Sequence, residues 1–107
     1  GFDEPIFLNT KGEICEGATT NIFFVSKDKI VTPPVSSGLL NGIMRQYIMK
    51  IANVEERIIR PENISEFTEI FLTNSLLGIM PVKRLGEHTF NSRNIANKLI
   101  TEYHKNL

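Results

Sequence analysis

Net charge is absent from this 107-residue chain, cysteine nearly so, and no apolar run is long. Each shortage excludes something. With 12 basic and 12 acidic side chains the formal charge is zero, so no field draws the chain towards nucleic acid or an anionic membrane. No apolar run approaches the roughly 20 residues that a membrane-spanning helix needs. The lone Cys15 has no partner for an internal disulfide, which fits a reducing compartment. The first residues show no signal-peptide pattern, so Asn63-Ile64-Ser65 reads as a chance sequon. His88 and His104 have no Asp or Cys at useful spacing, so no metal site is expected, and no Ser-His-acid triad is suggested. The chain opens on Gly-Phe-Asp-Glu rather than Met, which points to a fragment.

What is present is an ordinary globular composition, 41% apolar and 22% charged, enough for one modest domain. Residues 5–9 form a short apolar run closed by Thr10-Lys11-Gly12, a strand and tight turn, with 13–16 returning beside it. NIFFVS, 21–26, is a strongly β-prone strand, turned by Lys27-Asp28-Lys29 into a short strand at 30–32. After PPVSSG a helical pattern begins over 42–52, with Ile43, Met44, Tyr47, Ile48 and Ile51 on one face. Residues 54–60 read as a strand, and Pro61 opens a short helix or turn ending at Ser65-Glu66-Phe67. EIFLTN (69–74) and residues 78–85 read as further strands. Ile95, Leu99, Ile100 and Tyr103 mark a last helix to His104, with Ser92 as its expected cap. The expected class is α+β, helices packed on a strongly curved, mostly antiparallel sheet. Met44, Met49 and Met80 belong to its core.

Four places offer chemistry. Glu16 ends a strand before the small residues Gly17-Ala18-Thr19-Thr20. Such a carboxylate can face a cleft and stay ionised against a cationic group, or sit solvated in a turn. The helix over 42–52 starts with Asn41 and Gly42, both poor helix formers. Either Asn41 caps it, or the bare first turn holds an anion on backbone N–H groups and the helix dipole. In the second case Gly42 lets the ligand approach, and Ser36, Ser37 or Asn41 add donors. Thr73-Asn74-Ser75 ends an apolar strand and either clamps phosphate oxygens or makes a turn. Arg45, in the first turns of the helix, could neutralise a phosphate, pair with an acid such as Glu16, or make a surface salt bridge. Glu55 and Glu56 are expected to face opposite sides of a strand as solvated charge.

Taken together, EGATTNIFFV (16–25), TPPVSSGLLNGIMRQ (32–46) and FLTNSLLGIMPV (71–82) resemble the class IV pyridoxal-phosphate enzymes in order and spacing. That family includes branched-chain and D-amino acid aminotransferases and 4-amino-4-deoxychorismate lyase. The likeness covers nearly the whole chain, read as one domain over 1–107, and corresponds to the C-terminal half of such an enzyme. It implies the C-terminal domain of the D-amino acid aminotransferase-like fold, a curved pseudo-barrel sheet with packed helices. It also implies pyridoxal 5'-phosphate as cofactor, a small-molecule substrate, an N-terminal domain of the same protein as partner, a homodimer and a cytoplasmic setting.

The resemblance gives residues their roles. Glu16 matches the acid that hydrogen-bonds the pyridine nitrogen and keeps it protonated. Ile43 and Met44 match the positions whose backbone N–H groups hold the cofactor phosphate, and Asn74 and Ser75 the polar pair completing the phosphate cup. None of Lys11, Lys27, Lys29, Lys50, Lys83, Lys98 and Lys105 falls at the position of the Schiff-base lysine. In the family that lysine lies upstream of the segment corresponding to Gly1, as does an arginine for the phosphate. Alone, the chain is therefore expected to be inactive and to bind the cofactor weakly or not at all. Gly78 and Met80 stand where aminotransferases usually carry Glu and Thr, and Met44 where they tend to have Thr. These residues resemble the lyase version, whose reaction turns aminodeoxychorismate into p-aminobenzoate and pyruvate for folate synthesis. The alternatives are the same domain of a class IV aminotransferase, and a non-catalytic domain for dimerisation or for binding a phosphorylated ligand.

Overall fold

The computed structural model describes residues 6–8, 10–17, 20–27, 29–39, 41–76, 78–85 and 87–105, with the backbone alone at 6, 7 and 15–17. Its strands are β1 (Ile6–Leu8), β2 (Ile14–Gly17), β3 (Asn21–Ser26), β4 (Lys29–Thr32), β5 (Val54–Glu56), β6 (Glu69–Asn74), β7 (Gly78–Val82), β8 (Arg84–Leu85) and β9 (His88–Thr89). Two α-helices, α1 (Ile43–Ile51) and α2 (Asn94–Lys105), and 3₁₀ turns at Val35–Ser37 and Pro61–Glu66 complete the order. Pro5, Asn9, Ala18, Thr19 and Asp28, which the sequence assigns to strands and turns, lie outside the described residues. Among the described residues no helix is long and apolar enough to cross a membrane.

NIFFVS and EIFLTN read as unbroken apolar runs because both strands are covered on both faces. They pair antiparallel at the centre of a five-stranded sheet ordered β5-β4-β3-β6-β7. On one face Ile22, Phe24, Ile70, Leu72 and Val82 pack with Ile14, Ile59, Phe67 and Phe90 from the strands and turns around them. On the other, Phe23, Val25, Phe71 and Ile79 pack against Met44 and Ile48 of α1 and Ala96 and Leu99 of α2. Phe23 and Phe71, directly opposite in register, stack with ring centroids 5.0 Å apart. The expected α+β class, with helices on a mostly antiparallel sheet, is what the chain adopts.

One strand pair is parallel. β4 and β5 run the same way, and parallel neighbours need a crossover, which α1 supplies. The start of α1 therefore follows the carboxyl end of β4, the end of a strand where open sheets place ligands. Because β3 runs antiparallel to β4 and β6, it begins at that edge and β6 ends there. The Thr32 hydroxyl ties the corner by donating to the Ile22 carbonyl at 2.7 Å.

Several boundaries differ from the sequence reading, each for a local reason. The strand expected over 54–60 stops at Glu56. Arg57 N–H makes the last bond to β4, at the Thr32 carbonyl (2.9 Å), and Ile14 N–H then takes the Ile59 carbonyl (2.6 Å), drawing the chain across to β2. Residues 78–85 form two strands, because the Lys83 carbonyl accepts the Phe90 N–H at 2.7 Å and starts the β8–β9 hairpin. Ile43 and Ile51, expected on the buried face of α1, stand at its two ends and are 75% and 36% exposed. Met44 is buried, and Met49 and Met80 are partly buried against the core, as expected.

Ser92 does not cap α2. Glu69, 1% exposed at the start of β6, does so instead. Its carboxylate accepts the N–H groups of Ala96 (2.7 Å) and Ile95 (3.2 Å) as well as the Ser92 hydroxyl (3.4 Å). A negative charge at a helix start is favourable, which offsets part of the cost of burying it.

Candidate functional site

The edge where β3 begins and β6 ends gathers most of the residues singled out from the sequence. Asn21 opens β3 directly opposite Thr73, Thr73 faces Ile79 across β7, and Asn74 pairs with Gly78. Strand alternation puts Asn21 on the same face as Phe23, and Thr73 on that of Phe71, which is the face that α1 covers. Gly42 rests against this pair: a Cβ built there would lie 2.8 Å from Asn21 Oδ1.

α1 begins at Ile43, one residue later than the periodicity suggests, with Gly42 as an extended N-cap (φ −64, ψ 159). No side chain caps it and no acid lies in its first turn. The first intrahelical bond is Gln46 N–H to the Gly42 carbonyl, 3.0 Å. The N–H groups of Ile43 and Met44 therefore have no acceptor among the described residues, the arrangement that favours an anion. At the same edge of the sheet Thr73 is 1% exposed, and its hydroxyl has no hydrogen-bond partner. Buried hydroxyls are rarely left so.

Asn41, the alternative to an anion as cap, is engaged elsewhere. Its Oδ1 accepts Arg45 Nη1 at 2.9 Å and its carbonyl accepts Gln46 Nε2 at 2.9 Å. Arg45 is not a surface residue, and the acid it pairs with among the described side chains is Glu56. It is 3% exposed, with Nη2 donating to the Pro33 carbonyl (3.0 Å) and to Glu56 (3.1 Å). Glu55 turns the other way, 2.7 Å from Lys29, so the two acids do face opposite sides, but Glu56 meets a buried guanidinium rather than solvent alone. Ser36 is exposed, whereas Ser37 is buried and donates to Glu13 (3.5 Å).

Asn74 makes a turn: its Oδ1 accepts the Leu76 N–H at 2.7 Å. Ser75 follows it, exposed, at the same edge of the sheet. Glu16, in β2, pairs its backbone with Phe7 of β1; its side chain lies outside the described part. Thus Ile43, Met44, Asn74 and Ser75 come to one end of the sheet. The sequence reading missed Asn21, whose signal is a polar residue opening an otherwise apolar strand. Among the described residues no cluster of His, Cys, Asp and Glu could hold a metal.

The donor set fits a phosphate: free backbone N–H groups at a helix start, a buried unpaired hydroxyl and a glycine where a side chain would intrude. Residues 1–85 match the family model described as amino-transferase class IV. The chain belongs to the class IV aminotransferase family. A Thermotoga maritima protein described as a probable branched-chain-amino-acid aminotransferase is 41% identical over 92 residues, which cover 81% of this chain and 34% of that protein. The crystal structure of 4-amino-4-deoxychorismate lyase from Pseudomonas aeruginosa superposes with a TM-score of 0.92 at 26% identity, covering all of this chain and 42% of the lyase. A Brucella abortus aminotransferase solved with bound pyridoxal phosphate superposes at 0.83 with 28% identity, over 96% of this chain and 40% of that one. The chain thus spans 34% to 39% of the length of the curated relatives it matches. The part matched to the class IV model takes in α1, β6 and β7 and stops before α2.

Proposed function

We propose that residues 1–107 are the C-terminal, cofactor-binding domain of a pyridoxal-phosphate lyase that converts aminodeoxychorismate to p-aminobenzoate and pyruvate. The observation that carries the cofactor reading is the first turn of α1, which has no side-chain cap and starts at the sheet edge where Thr73 keeps a buried hydroxyl without a hydrogen-bond partner. The N–H groups of Ile43 and Met44 hold the phosphate, and Asn74 and Ser75 complete its cup from the β6–β7 turn. Glu16 hydrogen-bonds the pyridine nitrogen and keeps it protonated. When bound, pyridoxal phosphate supplies an electron sink for the carbon that bears the substrate amine. None of this chain's lysines takes the role of attaching the cofactor; that lysine, and the arginine that shares the phosphate, belong to an N-terminal domain. The chain alone therefore lacks the base and does not turn over. A cytoplasmic homodimer is the proposed setting of the whole enzyme.

Two residues favour the lyase. Gly78 has φ +81, a backbone conformation in which the Glu usual in aminotransferases would be strained. Met80 packs partly buried against the core instead of presenting a hydroxyl as Thr would. A second reading, a branched-chain aminotransferase with the same cofactor contacts, is favoured by the Thermotoga maritima relative at 41% identity. The test uses the full-length protein loaded with pyridoxal phosphate, following p-aminobenzoate release from aminodeoxychorismate and, in parallel, amino transfer from a branched-chain amino acid to 2-oxoglutarate. Release without transfer is expected. Transfer without release would replace the lyase by the aminotransferase, and neither reaction would leave a non-catalytic binding domain.

A further inference from the structure

We propose that Arg45 is a positioning residue that keeps the anion-binding turn of α1 open by holding Asn41 off it. The inference rests on reading that turn as the phosphate site. Asn is among the strongest N-cap residues, and Asn41 stands one position before the present cap. Were α1 to begin one residue earlier, with Asn41 as N-cap, the N–H groups facing its side-chain oxygen would be those of Ile43 and Met44, the pair assigned to the phosphate. Gly42 already has a helical φ of −64, so only its ψ, now 159, must rotate. The helix would then cap itself and the anion site would close.

What prevents this is Arg45. It lies one turn into α1, and helical side chains lean back towards the N-terminus, so its guanidinium reaches Asn41 Oδ1 at 2.9 Å. The other end of the fork is fixed to the Pro33 carbonyl (3.0 Å) and Glu56 (3.1 Å), at the two strands joined by the crossover. A guanidinium that is 3% exposed and bonded at three points is a rigid clamp. The Gln46 side chain adds a second restraint by holding the Asn41 carbonyl at 2.9 Å. Thr73, with its unpaired buried hydroxyl on the face covered by α1, points independently to a ligand at this end of the helix.

The test compares the affinities of full-length apoprotein for pyridoxal phosphate and for pyridoxal, which lacks the phosphate, in wild type, Arg45→Met, Asn41→Ala and the double variant. Arg45→Met is expected to lower pyridoxal phosphate affinity about fivefold, the size of one helix cap expressed as an equilibrium, and to leave pyridoxal affinity unchanged. Asn41→Ala in the Arg45→Met background should restore most of the loss, because the competing cap is gone. An unchanged ratio of the two affinities in Arg45→Met would overturn the proposal. So would failure of the double variant to recover, which would assign the loss to the Arg45 charge or to packing. If wild type binds both compounds equally, it is the phosphate reading of the turn that fails. Should Arg45→Met not fold, Arg45→Lys carries the same expectation, since an ammonium keeps the charge but cannot bridge Asn41, Pro33 and Glu56 as a fork.

Discussion

Alanine at Gly42 should destabilise the protein through a single contact. Its Cβ would lie 2.8 Å from Asn21 Oδ1 and 4.0 Å from Asn21 Cγ, whereas ordinary contact begins at 3.4 Å. Either Asn21 or the start of α1 must therefore yield by roughly half an ångström. The backbone raises no objection, because φ −64 and ψ 159 suit alanine as well as glycine. Nor is Asn21 a loose tip. It is 6% exposed, set in β3 opposite Thr73, with Phe23 on the same face fixed by its stack on Phe71. Overpacking at such a place costs about 1–3 kcal/mol, and the smaller unfolded-state entropy of alanine returns ~0.4–1 kcal/mol. The net loss is about 1–2 kcal/mol, a fall of several degrees in Tm for a domain of this size. Urea denaturation of wild type, Gly42→Ala, Asn21→Ala and the double variant reads it directly. Because the clash is with one side chain, the two substitutions should couple by about 1 kcal/mol, the double variant being more stable than the sum of the singles. A neutral Gly42→Ala, or strict additivity, would refute the steric argument.

Other perturbations have clear signs. Glu69→Ala leaves the N–H groups of Ile95 and Ala96 without their acceptor, and should cost about 2–4 kcal/mol by denaturation, with Glu69→Gln losing less because its amide oxygen still accepts. The Lys29 ammonium, hydrogen-bonded at 2.7 Å, holds the exposed Glu55 carboxyl below its usual value, partly opposed by desolvation and helped by the charges of Lys29 and Arg57. A depressed folded-state value means that this pair's small contribution is present above the ordinary carboxylate range and lost as pH falls through the folded value. In Lys29→Met the Glu55 titration midpoint, followed by NMR, should rise. Gly78→Ala meets nothing closer than Tyr103 Cε2 at 3.7 Å, so its expected loss of about 1–2 kcal/mol comes from φ +81 alone and should be insensitive to changes at Tyr103.

Much of the fold is legible in the residues because its two central strands are buried on both faces, so that NIFFVS and EIFLTN announce themselves without alternation. The helices show through their spacing. What the residues do not reveal is where hydrogen bonds leave one strand for another. The breaks at Glu56 and Lys83 depend on Ile59 and Phe90 finding partners in other segments, which no local pattern encodes. Glu69 reads as an ordinary first residue of a strand, since its service to α2 exists only once helix and sheet have packed. The candidate site is half visible. Asn41 and Gly42 are conspicuous as poor helix formers, yet the donors they leave bare belong to the backbone and carry no residue signature. The i, i+4 spacing of Asn41 and Arg45 was the available sign of their bond; the burial of that arginine by Pro33 and Glu56 was not foreseeable from spacing.

The carboxylate of Glu69 also bears on the order in which the chain assembles. A helix of 12 residues is marginal by itself, since its first turn is costly to form. For α2 that first turn leans on a group 26 residues back, delivered only when β6 has taken its place in the sheet. The last segment is thus expected to depend on the middle one, with the sheet assembling first and α2 closing over Phe71 and Ile79 as a late step. Substitutions on α2 should then speed unfolding while leaving the folding rate nearly untouched.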